Sequence, residues 1–312
     1  MCIIDGGFYG AGGRVARVHG TRILAARCRD GASQLTVYAN AVALGPASAP
    51  VAMILPVPVG DNKGGAERVR MVDTSEDPSG ARLWDALAPL FKEREASFGL
   101  DGDGGGARLS NRSAALPVLR CGSYEYSVVP SVDDFGRLDA RLAGRPSAGV
   151  EALLRERYAR GFAFLVCRIA RGGAYHPVAY THPLGVATGT CGAPPTTRRE
   201  RESGDREEAR LFVPTLHWHG DEREAPGKIE WDHTIYVLGA HPGDPSGWAA
   251  ACTDAEAARL PWRLPLCYAE HLPPDLAAAQ LRCREVRGRG AAPNEDMWWR
   301  CAANHAEPGS VA

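Results

Sequence analysis

Lysine is scarce in this sequence: only Lys63, Lys92 and Lys228 accompany 33 arginines. Net charge is also lacking, with Lys+Arg 36 against Asp+Glu 37, so no long-range field draws the chain onto nucleic acid or an anionic membrane. No apolar stretch approaches the roughly 20 residues needed to span a bilayer. The N-terminal MCIIDGGFYGAGGRVARVHG lacks the basic start and long apolar run of a secretory signal. Nine cysteines are present, none at C-x-x-C spacing, which argues against a zinc ribbon or a disulfide framework and for reduced, mostly buried thiols. Together these absences predict a soluble protein of the cytoplasm or another reducing compartment. The glycines of LDGDGGGARLSN (100–111) are not followed by the Lys and Ser/Thr of a phosphate loop, and GGFYGAGG (6–13) lacks G-x-G-x-x-G spacing. A G-x-S-x-G element is also missing, so no Ser-His-Asp triad can be assembled from motifs.

What is present is globular: 45% hydrophobic and 23% charged residues over 312 positions, with a mean hydropathy of −0.24. QLTVYANAVA (34–43) and VAMILPVPV (51–59) read as strands, the second ending or lying at an edge where Pro56 and Pro58 cannot donate. Leu83, Trp84, Leu87, Leu90 and Phe91 repeat at helical spacing over 80–95, with Pro89 inside. Tyr124, Tyr126 and Val128 share a strand face, and Ser131 with Asp134 suggests a capping box for a helix over 131–142. A second helix over 150–160 ends at Gly161, before the buried strand FAFLVCRI. Leu211 to His219 and Ile229 to Leu238 read as the arms of a long-looped hairpin. Thr253 with Glu256 suggests another cap, and Pro274-Asp275 opens a helix towards Val286.

These elements predict a β-rich α+β fold of mainly antiparallel sheet with segregated helices, arranged as two closely packed subdomains. The expected division is a β-rich 1–120 and an α+β 121–312, the latter carrying a disordered charged insertion near 192–210 (PPTTRRERESGDREEAR).

Ionisable residues concentrate in LFVPTLHWHGDEREAPGKIEWDH (211–233). Residues two apart on a strand share a face, so His217 and His219 point the same way, with Asp221 next in series. His233, Asp232 or Glu224 could complete a set for Zn²⁺ or Fe²⁺, and three protein ligands with one open position activate bound water. The plainer alternative makes Val213, Thr215, His217 and His219 the polar face of a sheet, with Phe212, Leu216 and Trp218 packing inward. Cys2 is a further candidate, because removal of Met1 would place its thiol beside its own α-amine, the nucleophile and base of an N-terminal-nucleophile hydrolase. His176 and His182 flank a short strand and read as loop caps.

HWHGDE resembles the H-x-H-x-D-H string of metallo-β-lactamase-like hydrolases, with Glu222 in place of the last histidine. His217, His219 and Glu224 are similar to the H-x-H-x4-E part of a cupin motif, without its flanking glycines. The Met-Cys start resembles that of class II amidotransferases, where Gly follows instead of Ile3. Over a longer span, LTVYANAV, AMILPVPV, GSYEYSVVPSVDDF, FVPTLHWHGD and WDH together resemble an uncharacterised protein family with no established activity. That resemblance implies one folded unit over roughly 30–240 and imports no cofactor. Three functions follow as expectations: a non-catalytic structural or binding protein in a larger assembly or homo-oligomer; a metal-dependent hydrolase or metal-binding protein using His217, His219, Asp221 and His233; and a hydrolase using Cys2.

Overall fold

A computed structural model describes residues 2–5, 15–44, 50–60, 65–91, 116–142, 145–170, 173–186, 209–219, 230–239, 249–250, 263–274, 281–289 and 296–301. Within these the fold is β-rich α+β. A first, six-stranded sheet contains β1 (Cys2–Asp5), β4 (Val51–Pro58), β6 (Leu119–Cys121), β7 (Tyr124–Val129), β8 (Phe162–Ile169) and β13 (His217–His219), in the order β13-β1-β4-β8-β7-β6. A second, eight-stranded sheet comprises β2 (Val15–Arg27), β3 (Ser33–Leu44), β5 (Arg70–Met71), β9 (Gly173–Ala174), β10 (Val178–Pro183), β14 (Glu230–Leu238), β15 (Ala249–Ala250) and β16 (Leu281–Arg289). Its order is β15-β16-β14-β2-β3-β10-β5, and β9 pairs with β3 off this path. A third, small sheet joins β11 (Gly185–Val186), β12 (Ala209–Val213) and β17 (Met297–Arg300). Pairing is antiparallel except between β1 and β13 and between β2 and β14. The two large sheets each take strands from both sides of residue 120.

The strands read as apolar runs because both faces of each sheet are covered. In β8, Ala163, Leu165, Cys167 and Ile169 join Val51, Met53, Leu55 and Val57 of β4 in a core shared with Ile23, Tyr38, Val178, Tyr180 and Ile235 of the second sheet. The alternate residues Phe162, Phe164 and Val166 face helix α2 (Ala148–Tyr158) through Leu154 and Tyr158. On the far side of the second sheet, Leu24, Leu35 and Val37 pack under α1 (Ala81–Leu87) and α3 (Leu266–Ala269) through Leu83, Trp84 and Tyr268. The helices therefore lie on the outer faces and the sheets meet in the middle.

Several local expectations change in three dimensions. Of the helix expected over 274–286, residues 281–286 belong instead to β16 (Leu281–Arg289), antiparallel to β14 along its whole length, because partner strands override a weak local signal; residues 275–280 lie outside the described residues. The expected hairpin does not form: Pro214 divides its first arm into β12 and β13, which join different sheets, while β14 pairs with β2 and β16. The 131–142 helix is a 3-10 segment, Val132–Arg137, in which the Ser131 hydroxyl donates to the Asp134 carboxylate at 2.7 Å instead of capping a backbone N–H. The 80–95 helix runs as α1 and continues as a 3-10 turn, Ala88–Leu90, with Pro89 in its first turn, where a missing N–H costs nothing. Arg210, assigned to the charged insertion, belongs to β12. The 150–160 helix, the left-handed Gly161 (φ 73°) and the strand at Phe162–Ile169 match the sequence reading. The 100–111 loop, 187–208 and the Thr253–Glu256 cap lie outside the described residues.

β4 explains how a strand with two prolines can be interior. β1 accompanies it only from Ala52 to Ile54, so among the described residues Pro56 and Pro58 have a strand neighbour, β8, on one side alone. Residues two apart direct their backbone donors to the same side. The edge predicted from the prolines is thus local.

Helix α1 is started by a residue outside it. Asp77, 1% exposed, accepts the Arg82 N–H at 3.2 Å and the Leu83 N–H at 3.0 Å on its two carboxylate oxygens. Asp77→Ala leaves both donors without that acceptor and is expected to lower stability by about 1–2 kcal/mol. Urea unfolding of the variant beside wild type checks this, and an unchanged midpoint would refute it.

Candidate functional site

The predicted histidine cluster forms in part. Pro214 ends β12, a Thr215 N–H to Val213 carbonyl bond of 2.9 Å turns the chain, and the Leu216 N–H donates to Asp296 at 2.9 Å. The other oxygen of Asp296 accepts the Tyr158 hydroxyl of α2. This latch delivers His217 into β13, where its Cα pairs in parallel with Cys2; Trp218 and His219 pair with Ile3 and Ile4.

His217 is 0% exposed and His233, on β14, is 2% exposed. Nδ1 of His217 stands 3.1 Å from Nε2 of His233, and the rings are T-shaped with centroids 4.9 Å apart. β13 belongs to the first sheet and β14 to the second, so the imidazole pair bridges them. His233 shares its strand parity with Ile235 and Val237, which lie in the core between the sheets. The face of His217 is accordingly not the solvated polar face that one sequence reading assigned to it.

Burial pushes the His233 pKa down to about 3. Two imidazoles at this distance share one N–H···N bond, which requires at least one neutral ring. Asp232, read from the sequence as a residue that could complete the ligand set, accepts the backbone N–H of Gly20 at 3.0 Å, where β2 bulges between His19 and Arg22. Among the described residues no group of three His, Cys, Asp or Glu side chains is arranged for a metal ion. Asp221 and Glu224 lie outside the described residues, as do the side chains of Cys2 and His219.

His182 is committed elsewhere, in a buried network joining β3, β10 and β12. Its Nδ1 is 2.8 Å from the Pro183 carbonyl and its Nε2 is 3.1 Å from the Thr36 hydroxyl. A carbonyl can only accept, so Nδ1 carries the proton and Nε2 accepts from Thr36. Gln34 donates to Thr36 Oγ1 at 2.8 Å and to the Phe212 carbonyl at 2.6 Å, and accepts the Phe212 N–H at 2.8 Å. His176, read as a loop cap, contacts Ser123 of the β6–β7 turn with Nδ1 2.6 Å from the hydroxyl. No motif pairs Ser123 with His176, which are 53 positions apart and brought together by the two sheets. The described cysteines, Cys28, Cys121, Cys167, Cys267, Cys283 and Cys301, are free thiols, as the sequence predicts. Burial pushes the Cys28 thiol up to about 12, well away from a reactive thiolate. No described helix is long and apolar enough to cross a membrane.

No family model matches the sequence. No curated protein matches it either. Among solved structures, the crystal structure of baculovirus P35 is similar, with a TM-score of 0.45 and 10% identity over 92% of this chain and 97% of that one.

Proposed function

We propose that the protein is a non-catalytic binding or structural protein that works as part of a larger assembly or homo-oligomer, with the buried His182, His217 and His233 as framework residues. The observation supporting this is the position of His217: 0% exposed, between the two sheets, with a ring nitrogen directed at His233. An imidazole so placed contributes to the joint between sheets and is withdrawn from solvent-borne substrate. Size-exclusion chromatography with light scattering, combined with elemental analysis, tests the reading. The expected result is a metal-free preparation of more than one chain; a metal-free monomer without a stable partner would count against the assembly.

A second reading, a metal-binding protein or metal-dependent hydrolase, is favoured by the convergence of His217 and His233. Two nitrogen donors at about 2.0–2.1 Å from one tetrahedral zinc are themselves about 3.3 Å apart, close to the 3.1 Å between Nδ1 of His217 and Nε2 of His233. His219 and Asp221 would be its further ligands, and Zn or Fe its metal. Elemental analysis of wild type and His217→Ala/His219→Ala, dialysed without chelator, separates the two readings. Near one equivalent of Zn or Fe, lost in a double variant that keeps its fold, would replace the framework reading. The register also sets Cys2 opposite His217, which favours a third reading, an N-terminal-nucleophile hydrolase. Intact mass showing a retained Met1 would eliminate it.

A further inference from the structure

Ser123 is exposed in the turn between β6 and β7, at the end of the first sheet opposite β13. Its hydroxyl oxygen lies 2.6 Å from Nδ1 of His176, and its backbone N–H donates to the same nitrogen at 3.3 Å. An amide N–H only donates, so Nδ1 carries the lone pair and the ring proton is on Nε2. The hydroxyl must then also donate to Nδ1, which is the relation of a nucleophile to its base.

The ring is held in place for this. It packs on Tyr124 at a centroid distance of 4.6 Å, and Tyr124 stacks on Tyr175 at 5.3 Å. Gly122, at φ +54°, lets the ring lie against the turn: a Cβ there would stand 2.5 Å from Cε1 and Nε2 of His176. Burial lowers the His176 pKa, with a backbone hydrogen bond involving Cys121 acting the other way, so the lone pair persists below the usual imidazole range.

We propose that Ser123 is a reactive serine that accepts an acyl group from an activated ester, with His176 as its general base. The Ser123 Oγ–C bond forms and the bond from that carbon to the leaving oxygen breaks. The hydroxyl proton passes to His176 Nδ1 and departs on the leaving alcohol. This goes beyond the binding function and does not rest on it: the step is a single acylation of an exposed serine, apart from the buried framework histidines.

A fluorophosphonate serves as the probe: the Oγ–P bond forms, the P–F bond breaks, fluoride leaves and His176 takes the proton. Peptide mapping by mass spectrometry is expected to find the adduct on Ser123, formed about 100-fold faster than on any other exposed serine. Ser123→Ala removes that adduct, and His176→Gln slows labelling about 100-fold with an unchanged melting curve. If His176→Gln does not fold, the wild-type pH profile decides, since the labelling rate must fall as His176 becomes protonated at acidic pH. Labelling of Ser123 at the rate of other serines, or a rate indifferent to pH and to His176→Gln, would overturn the proposal.

Discussion

Replacing Gln34 with alanine is expected to destabilise the protein by about 3–5 kcal/mol, although the residue lies in no motif. Gln34 is 0% exposed, and its amide bonds both backbone groups of Phe212, the N–H at 2.8 Å and the carbonyl at 2.6 Å. It works as a missing strand rung. β11 runs beside β12 only at Ala209 and Arg210, so at Phe212 the strand has β17 on one side and the Gln34 amide takes up part of the other. Truncation removes a donor and an acceptor from a buried backbone pair at about 1–3 kcal/mol each. It also opens a cavity and takes from Thr36 the donor of its 2.8 Å bond. Urea unfolding measures the loss, and a change below about 1 kcal/mol would mean that β12 is held by its ladder alone.

Acid is expected to weaken the fold through the same network. Burial holds the His182 pKa at about 4, against 6.5 when exposed, with backbone hydrogen bonds at Pro183 and Pro58 only partly offsetting this. The folded pKa is depressed, so the unfolded chain binds the proton first. The contribution is fully present above pH 6.5, is lost as pH falls below that value, and is exhausted near pH 4. The gap corresponds to about 3 kcal/mol. The structural reason is donor conflict: a proton on Nε2 meets the Thr36 hydroxyl already donating to it, and turning that hydroxyl disturbs the bond from Gln34. His182→Gln should show a loss between pH 7 and pH 4.5 smaller than wild type by most of this amount, roughly 2–3 kcal/mol. Parallel curves for the two proteins would show that other groups, His233 among them, carry the acid sensitivity.

Composition and local pattern made the fold class legible. FAFLVCRI, QLTVYANAVA and VAMILPVP are strands with few other options, and the helical spacing of Leu83, Trp84 and Leu87 survives as α1 because these side chains supply its buried face. The histidine cluster was legible in part. The proximity of His217 and His233 in sequence suggested convergence, which the structure realises across two sheets and not within one hairpin. The Ser123–His176 contact and the Gln34 amide clamp left no local trace, because their partners are 53 and 178 positions apart.

The sequence by itself determined that the chain folds, that strands dominate, and that Gly161 closes a helix. These properties depend on side-chain branching, apolar periodicity and backbone freedom, all carried by neighbouring residues. Only the tertiary structure decided that 281–289 is a strand, that Pro214 sends its two flanks into different sheets, and that His182, His217 and His233 are buried. The free energy of a ladder, or of a buried hydrogen bond, depends on a partner brought close by the rest of the chain. A local pattern specifies the capacity to pair, and the packed sheets select the partner.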